Sequence, residues 1–308
     1  MTRRGWALFI ALGMIWGLPY LLIKISVRQI DPAFLVFVRT GGAALVFLPL
    51  AAARGELRPI LKYWRPLVAY TTVELAIPWF LLFHAEQRLS SSLSGLLIAA
   101  VPLAGAILAW ITGSDRLDLR RVIGLAVGFA GVALLLGFAV GRSELWAAAS
   151  MGGVIIGYAI GPWVVARHFA DAPPLGVIAS SFLLCCLAYS PVAAFQLPQH
   201  GLSASVIESV VTLTLVCTVV AFLVFFALIA EVGAYRAVVI TYVNTSVAVL
   251  LGVTVLGEKF GVATGAGFVL ILIGCVFATR RVSPQDGAAE PDAGSAPEKV
   301  PPAVNTDL

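Results

Sequence analysis

The chain has 308 residues, of which 60% are hydrophobic and only 12% are charged, with a net charge of +4 and a mean hydropathy of +0.99. Because soluble domains contain about 25% charged residues, this composition excludes a water-soluble globular protein. Sixty per cent of 308 residues is about 185 apolar residues, enough for roughly nine or ten helices of about 20 residues each. Residues 122–140 and 237–256 are apolar on nearly every side, unlike the alternating strands of a membrane β-barrel. The sequence predicts an all-α polytopic membrane protein.

The apolar stretches, separated by charged or Pro/Gly-rich breaks, predict ten transmembrane helices. In chain order they are residues 5–24, 33–53, 66–84, 93–112, 122–140, 145–166, 175–195, 206–230, 237–256 and 261–279. The first stretch continues to about Ile23 without a small-residue cleavage site, so it is interpreted as a span and not as a signal peptide. Residues 282–308 are rich in Ala, Pro, Asp and Glu, which predicts a disordered cytoplasmic tail.

Positive charges predict the orientation of the spans. Ten is an even number, so both termini lie on the same side of the membrane. Thirteen Lys and Arg residues flank the spans on that side, against four on the other. Because such residues concentrate in cytoplasmic loops, both termini are predicted to be cytoplasmic in the cell (inner) membrane. The thirteen are Arg3, Arg4, Arg54, Arg58, Lys62, Arg65, Arg116, Arg120, Arg121, Arg167, Arg236, Arg280 and Arg281, and the four are Arg28, Arg88, Arg142 and Lys259.

The sequence also matches itself at a constant offset of about 143 residues, which indicates an internal duplication. The matched pairs are Gly124 with Gly267, Gly131 with Gly274, Asp115 with Glu258, Pro19 with Pro162, and Lys24 with Arg167. A unit of this length contains five spans, an odd number, so the second copy enters the membrane inverted. We predict a first repeat over residues 1–142 and an inverted second repeat over 143–281. This arrangement is typical of secondary transporters.

Several short motifs carry a resemblance to a known family. They are Trp16-Gly17, Leu89-Ser90-Ser91-Ser92 leading through Pro102 to Gly113-Ser114-Asp115-Arg116-Leu117, and Gly257-Glu258-Lys259 before Gly267 and Gly274. Over about residues 5–280 the chain resembles the drug/metabolite transporter superfamily, EamA type. The resemblance implies ten helices in a five-plus-five inverted repeat, a central cavity lined by spans 1, 3, 4, 6, 8 and 9, and export of amino acids, other metabolites or drugs. Asp115 and Thr245 depart from the pattern, which usually has Glu and Pro there.

Prolines at matched repeat positions predict helix breaks at a substrate site. Pro19 and Pro162 each remove a backbone hydrogen bond, and Pro102 is a further predicted break in span 4. Aromatic residues flank the two matched prolines, namely Trp16, Tyr20, Tyr158 and Trp163. They either stack on a flat substrate or hold a cation, or they belong to the aromatic belt at the membrane interface. The belt interpretation applies most to Tyr20 and Trp163, which lie near span ends.

Glu74 is the deepest acid that the sequence predicts, about eight residues or ~12 Å into span 3. Placing a carboxylate there costs at least ~2.5 kcal/mol, so an acid in this position indicates a function. Glu74 either binds a substrate ammonium, exchanges a coupling proton, or hydrogen-bonds a neighbouring helix as a neutral acid. Pro78 and Trp79 lie one turn further along, and Pro78 frees the carbonyl of Glu74. We include Trp79 and the predicted break at Pro78 in the candidate site.

Arg39 and Asn244 are polar residues inside otherwise apolar spans. Arg39 lies about six residues, or ~9 Å, into span 2. It either attracts a substrate carboxylate, or forms a structural ion pair, or extends its head group to the lipid head groups. Asn244 either hydrogen-bonds the substrate or links helices. Lys24, at the end of span 1, is predicted to be an interfacial anchor.

These observations predict a secondary transporter that exports a small metabolite, such as an amino acid or an amphipathic compound, by alternating access. The chain has no Walker A motif, so a gradient of protons or of an exchanged solute is expected to drive transport. No cofactor and no nucleic acid are expected. A structural metal is not expected either, because the four cysteines show neither CxxC spacing nor a histidine cluster. The alternative is an uncoupled facilitator or channel. An intramembrane enzyme is disfavoured because a single deep acid has no catalytic partner.

Overall fold

A computed structural model describes residues 2–115, 118–139, 144–232 and 240–279. Within these ranges ten helical spans follow one another, nine of them long and apolar enough to cross a membrane. The other, span 9, has 17 described residues. The spans are Arg3–Ser26, Pro32–Ala53, Leu57–Glu86, Ser91–Ile111, Leu119–Ala139, Leu145–His168, Pro174–Phe195, Ala204–Glu231, Ile240–Leu256 and Val262–Thr279. The protein is therefore an all-α membrane protein, and the predicted ten helices are confirmed.

Some predictions fall on residues outside the described ranges. They concern the motif residues Arg116 and Leu117, the loop charges Arg142, Arg236, Arg280 and Arg281, the repeat boundary between residues 142 and 143, the outermost predicted residues of spans 5 and 9, and the tail 282–308.

Span 3 begins at Leu57, nine residues before the predicted start at residue 66. The charges and prolines of this segment predicted a loop, but the chain is helical apart from a 3-10 turn at Leu61–Tyr63. Pro59 lies within the first turn of one short helix, a position that proline tolerates. Lys62 lies over the Tyr63 ring, 4.6 Å from its centre. Basic and aromatic side chains of this kind stabilise a helix at the membrane surface.

The four predicted breaks have three different outcomes. Pro102 lies in the first turn of the helix Val101–Ile111, and a turn at residues 99–100 divides span 4 just before it. Pro78 lies in the first turn of the α-helix Ile77–Glu86, where span 3 changes from π-helix to α-helix without an interruption. Pro19 and Pro162 instead lie inside the continuous helices of spans 1 and 6, so no break occurs at either. Membrane helices tolerate proline because neighbouring helices and small local adjustments satisfy the freed backbone groups.

Two segments of π-helix, which the sequence analysis did not predict, occur at corresponding positions of the two halves. They are Thr71–Ala76 in span 3 and Leu215–Val220 in span 8. The separation of the two segments along the chain differs from the repeat offset by a single position. A π-helical segment widens a helix locally and is frequent at functional sites. Spans 3 and 8 therefore both change their helical geometry near their midpoints.

Spans 5 and 10 pack through glycines in a two-fold manner. A Cβ atom on Gly124 would lie 2.8 Å from the carbonyl oxygen of Gly274, and one on Gly131 would lie 2.7 Å from that of Gly267. Since Gly124 matches Gly267 and Gly131 matches Gly274 in the repeat, each contact is the counterpart of the other. Such reciprocal contacts are expected where a two-fold axis passes between two equivalent elements. The packing is consistent with the five-plus-five inverted repeat.

The turns that follow spans 4 and 9 also correspond. The Asp115 amide donates to the Ala109 carbonyl, and the Glu258 amide donates to the Gly252 carbonyl, each over 3.1 Å. The two donors are separated by the repeat offset, and so are the two acceptors. A glycine with positive φ precedes the acid in each turn. The two halves therefore share local geometry at this point.

The central spans form two groups that meet mainly at one side of the membrane. We call the side of Thr2 the near side and the other the far side. The first group contains spans 3, 4 and 6, and the second contains spans 1, 8 and 9. The far-side half of span 4, Ser91–Ile98, packs on span 9, whereas its near-side half, Val101–Ile111, packs on spans 6 and 10. Lys24 of span 1 adds a far-side link, donating to the carbonyls of Glu86 and Leu89 at 2.7 Å.

On the near side the two groups have separate hydrophobic clusters. One cluster joins span 3 to span 6 and includes Leu67, Tyr70 and Val164. The other joins spans 1, 8 and 9 and includes Leu12 and Leu228. In the described part of the chain, the contacts between the groups thus concentrate in the far-side halves of the helices.

We predict that Gly131→Ala destabilises the protein, because the new methyl group meets backbone atoms of span 10 that cannot move aside. Overpacking of this kind costs about 1–3 kcal/mol. Thermal unfolding of the purified protein in detergent measures the effect. Gly137→Ala, in the same helix, is the matched control, because a Cβ atom at that position would have no neighbouring atom within 4 Å. Equal stability of the two variants would contradict the glycine-mediated contact.

Candidate functional site

Arg39 lies at the centre of the bundle, with only 6% of its surface exposed. Its guanidinium carbon lies 3.7 Å from the centre of the Trp79 ring, and its Nε donates to the Thr218 hydroxyl at 2.9 Å. The head group therefore points into the protein and not toward the lipid head groups. Arg39 brings together span 2, span 3 and span 8.

The two partners of Arg39 are positioned by the irregular helices. Trp79 follows the π-helical segment of span 3 and packs on Phe182 of span 7, with ring centres 6.0 Å apart. Thr218 lies inside the π-helical segment of span 8, where its hydroxyl also donates to the Leu213 carbonyl at 2.9 Å. That bond satisfies a carbonyl in the distorted helix and fixes the hydroxyl oxygen toward Arg39.

Among the described residues, no Asp or Glu forms an ion pair with the Arg39 guanidinium. Within the described ranges, the hydrogen bond of the guanidinium to a protein group is the one from its Nε. A cation buried without a counter-ion is destabilising, and guanidinium groups bind carboxylates through paired N–H donors. The unpaired terminal amino groups of Arg39 are therefore suited to bind an anionic group of a ligand.

Two tyrosines and a cysteine surround the same guanidinium. Tyr20 of span 1, Tyr158 of span 6 and Cys217 of span 8 are near enough to interact electrostatically with Arg39. Tyr158 is also near Glu74. The centre of the bundle thus presents one cation, two phenol groups and an aromatic ring. The cation is on span 2, and the three aromatic side chains come from spans 1, 3 and 6, three of the six spans that the family resemblance places around the cavity.

Glu74 lies in the π-helical segment of span 3, beside span 6. Its Oε2 atom is buried and has no hydrogen-bond partner among the described residues. The carboxyl group packs so closely on Gly161 that a methyl group there would collide with Oε2. The hydroxyl of Tyr189 in span 7 donates to the Ala76 carbonyl at 2.9 Å, which gives the last carbonyl of the π-helical segment a hydrogen-bond partner. A carboxyl group with one buried, unpaired oxygen is suited to bind an ammonium group or a proton.

The other predicted site residues lie apart from Arg39. Trp16 packs on Phe225 of span 8, with ring centres 5.0 Å apart. Trp163 lies toward the near side beside Arg167, whose guanidinium carbon is 5.5 Å from the ring centre, as expected of an interfacial residue. Asn244 is buried at the crossing of spans 1 and 9, close to Gly17.

The sequence analysis missed several polar residues. Glu86 is completely buried, and neither of its carboxyl oxygens has a hydrogen-bond partner among the described residues. The most completely buried acid of span 3 is therefore Glu86, whereas Glu74 is partly exposed. Glu86 escaped notice because span 3 was predicted to end at residue 84. Thr218 carried no sequence signal, since threonine is common in membrane helices and its contact with Arg39 joins positions 179 residues apart.

In the described part of the chain, no cluster of three or more His, Cys, Asp or Glu side chains is arranged to hold a metal ion. The polar groups of the centre are instead those of a small-molecule site, with few charges among many apolar and aromatic side chains.

Comparison with known proteins identifies the family. Residues 3–137 and residues 145–280 each match the EamA-like transporter family. The chain belongs to this family. The two matches correspond to the two halves of the bundle, which supports the duplication inferred from the internal sequence match.

The chain is also similar to curated transporters and to a protein of solved structure. The inner membrane transporter YedA of Escherichia coli is 28% identical over 259 residues, which cover 82% of each chain. A transporter of Archaeoglobus fulgidus is 22% identical over 269 residues, covering 86% of this chain and 95% of the relative. A protein of known crystal structure has the same fold, with a TM-score of 0.64 at 20% identity over 91% of this chain and 97% of the other.

The family match makes the protein a multi-pass membrane transporter with a small-molecule substrate, and not an enzyme. This excludes the intramembrane enzyme considered from the sequence. Its E. coli relative is a protein of the inner membrane.

We predict that Thr218→Val lowers the free energy of unfolding by about 1–3 kcal/mol, because the buried Nε of Arg39 loses its acceptor. Thermal unfolding in detergent measures the loss. Thr254→Val is the matched control, since Thr254 is exposed and its hydroxyl bonds the Leu250 carbonyl of its own helix. Equal losses of unfolding free energy in the two variants would show that the hydrogen bond between Thr218 and Arg39 does not contribute to stability.

Proposed function

We propose that the protein is a secondary transporter that exports a small metabolite, such as an amino acid or an amphipathic compound, by alternating access. The observation that carries this proposal is the buried Arg39, which is stacked on Trp79 and lacks a protein counter-ion among the described residues. It lies beside the π-helical segments of spans 3 and 8, where the helices depart from regular geometry. Substrate sites of secondary transporters are typically formed by such irregular helices near the membrane midplane.

The chemistry of the centre favours a substrate with a carboxylate. The free N–H donors of Arg39 match a carboxylate in geometry and charge. Glu74 offers a complementary group for an ammonium, and Tyr158 lies near both charged residues. Tyr20 and Trp79 supply apolar surface for the rest of the molecule. We assign Arg39, Glu74, Tyr20, Trp79 and Tyr158 to substrate binding or coupling.

The remaining predicted residues have supporting places in this proposal. Trp16 and Asn244 lie on spans 1 and 9 of the second group, and in this proposal they line the path of the solute. Trp163 has the position of an interfacial residue, and it serves orientation more than binding.

The unequal packing of the two sides supports alternating access. The first and second groups contact each other mainly through far-side halves, whereas their near-side halves pack in separate clusters. An inverted repeat allows the opposite arrangement at similar energy, because each half can adopt the conformation of the other. In this proposal the near side is the accessible side of the state described here, because the two groups contact each other mainly at the far side.

The excess of Lys and Arg on the near side supports a cytoplasmic near side. Both termini then lie in the cytoplasm, and the protein spans the inner membrane. A proton or an exchanged solute supplies the driving force in this proposal, and Glu74 is the candidate coupling acid. Export then moves the solute from the near side to the far side.

The proposal predicts proton-gradient-dependent flux of a carboxylate-bearing solute in proteoliposomes. We expect labelled amino acids to be transported faster with a pH gradient than without, and labelled amphipathic cations to serve as the comparison class. Arg39→Lys keeps the charge but removes the paired donors, so carboxylate flux falls by about tenfold or more while cation flux changes little. Equal losses for both classes would count against carboxylate recognition by Arg39.

Glu74→Gln separates a coupled transporter from a facilitator. In a coupled transporter, solute flux through the variant no longer increases with the pH gradient, and the variant retains at most the exchange of solute for solute. Glu208→Gln is the matched control, because Glu208 is exposed at the far-side end of span 8. Gradient-independent flux in the wild type and in Glu74→Gln alike would identify an uncoupled facilitator and a structural Glu74.

The orientation is tested separately with reporters fused to the carboxyl terminus. We expect a fluorescent protein that matures only in the cytoplasm to fluoresce in this fusion, and alkaline phosphatase to stay inactive there. The reverse pattern would place the near side outside the cytoplasm.

A further inference from the structure

Glu258, in the turn after span 9, binds the beginning of span 4 across the bundle. Its Oε1 accepts hydrogen bonds from the amide and hydroxyl of Ser91 at 2.7 and 3.0 Å, and its Oε2 accepts from the amide and hydroxyl of Ser92 at 2.9 and 2.5 Å. We call Glu258, Ser91 and Ser92 together the far-side clasp. All four hydrogen bonds join residues at least 166 positions apart.

The helix terminus makes the clasp a strong contact. The first amide groups of a helix have no partner within the helix, and the N-terminal end carries partial positive charge that favours a carboxylate. Ser90 caps the same helix through its own hydroxyl, which accepts from the Leu93 amide at 3.2 Å. Hydrogen bonds to an ionised acceptor are about twice as strong as those between neutral groups.

Glu258 is held in the ionised form that the clasp requires. Burial raises the pKa of this carboxyl group, but the hydrogen bonds from Ser92 and Ser91 outweigh it and leave the pKa below its usual value. A depressed pKa means that the clasp is complete above the usual pKa of a glutamate and is lost only as the pH falls through the depressed value. The clasp is therefore intact at neutral pH.

The surrounding residues are shaped to fit the clasp. Gly252 of span 9 lies so close to it that a methyl group there would collide with the Ser92 hydroxyl and with Oε2 of Glu258. One turn further into the membrane, Gly95 of span 4 packs on Ala248 of span 9. A Cβ atom added to Gly95 would lie 2.7 Å from the Cβ atom of Ala248. Small residues thus bring spans 4 and 9 together directly beneath the clasp.

The clasp also joins the two groups of spans at the side where they meet. Span 4 belongs to the first group and span 9 to the second, and their far-side halves pack together. Asp115, the repeat counterpart of Glu258, lies at the near side and forms an ion pair with Arg121 at 2.6 Å. A carboxylate therefore connects the two groups on the side where they are closed.

We infer that Glu258 is a positioning residue of the transport cycle, which holds the far side closed by binding the first residues of span 4. This inference rests on the alternating access proposed above. Opening the far side separates span 4 from span 9 and so breaks all four hydrogen bonds, which return when the far side closes. Glu258 sets the balance between the two states without touching the substrate.

Accessibility of a buried cysteine at the far side tests this inference. The reporter is Ser94→Cys, because Ser94 is completely buried one turn beyond Ser91, and the change is nearly isosteric. The four native cysteines are first replaced, and a membrane-impermeant thiol reagent is applied from the far side to the full-length protein in membranes. We expect Glu258→Gln to raise the labelling rate about tenfold or more. The amide NH2 of glutamine replaces one acceptor oxygen, so it opposes the N–H and O–H donors of Ser91 or Ser92 and weakens the clasp.

The control is Asp115→Asn, the same acid-to-amide change at the near side, which is expected to leave far-side labelling unchanged. A second variant, Ser91→Ala with Ser92→Ala, removes only the two hydroxyl donors and is expected to give an intermediate rate. It keeps the backbone donors, so the test stands even if Glu258→Gln folds poorly. Unchanged labelling in both clasp variants would overturn the inference.

The labelling assay needs no substrate, so its outcome is independent of the transport assay. Faster labelling without flux of any tested solute supports the clasp and rejects the proposed function. Normal gradient-driven flux with unchanged labelling supports the proposed function and rejects the clasp.

Discussion

The central constraint of this structure is a positive charge placed in the middle of a membrane protein without a protein counter-ion among the described residues. The Arg39 guanidinium is retained by an aromatic face and one hydroxyl acceptor, which weaken the penalty of burial but do not neutralise it. The π-helical segments serve this arrangement, since one of them contains Thr218 and the other immediately precedes the helix of Trp79. In the function proposed above, an anionic group of the substrate supplies the missing counter-ion.

Small residues allow close contact between helices of the frame around this charge. Lipid tails are as apolar as leucine, so burial of apolar surface does not drive membrane helices together, and close backbone approach becomes the main source of packing energy. Gly124 and Gly131 face Gly274 and Gly267 in two reciprocal contacts between spans 5 and 10. The two halves are thereby joined along their symmetry axis, while the central spans remain divided into two groups that contact each other mainly at the far side. The proposed alternating access requires this combination, in which the contact between spans 5 and 10 persists while the contact between the two groups of central spans can separate.

Sequence reasoning recovered the parts of the fold that depend on local composition. Stretches of apolar residues fixed the number and approximate bounds of the spans, because each backbone segment in lipid must satisfy its own hydrogen bonds. It also selected Arg39, Glu74, Trp79 and Tyr158, since a charge or a polar aromatic in an apolar span is conspicuous. It erred where helices respond to their neighbours, as at Pro19 and Pro162, which lie in continuous helices, and at Glu86, which is buried beyond the predicted end of span 3.

The sequence by itself determined that this is a ten-helix membrane protein, duplicated in inverted form, with a few polar residues inside its spans. Hydropathy, charge and the repeat offset are properties of single positions or of pairs at a constant separation, so they are readable before folding. The tertiary structure decided which polar groups meet. Arg39 with Thr218, and Glu258 with Ser91 and Ser92, are contacts between residues at least 166 positions apart. Their partners depend on the rotation and crossing of whole helices, which no local pattern encodes.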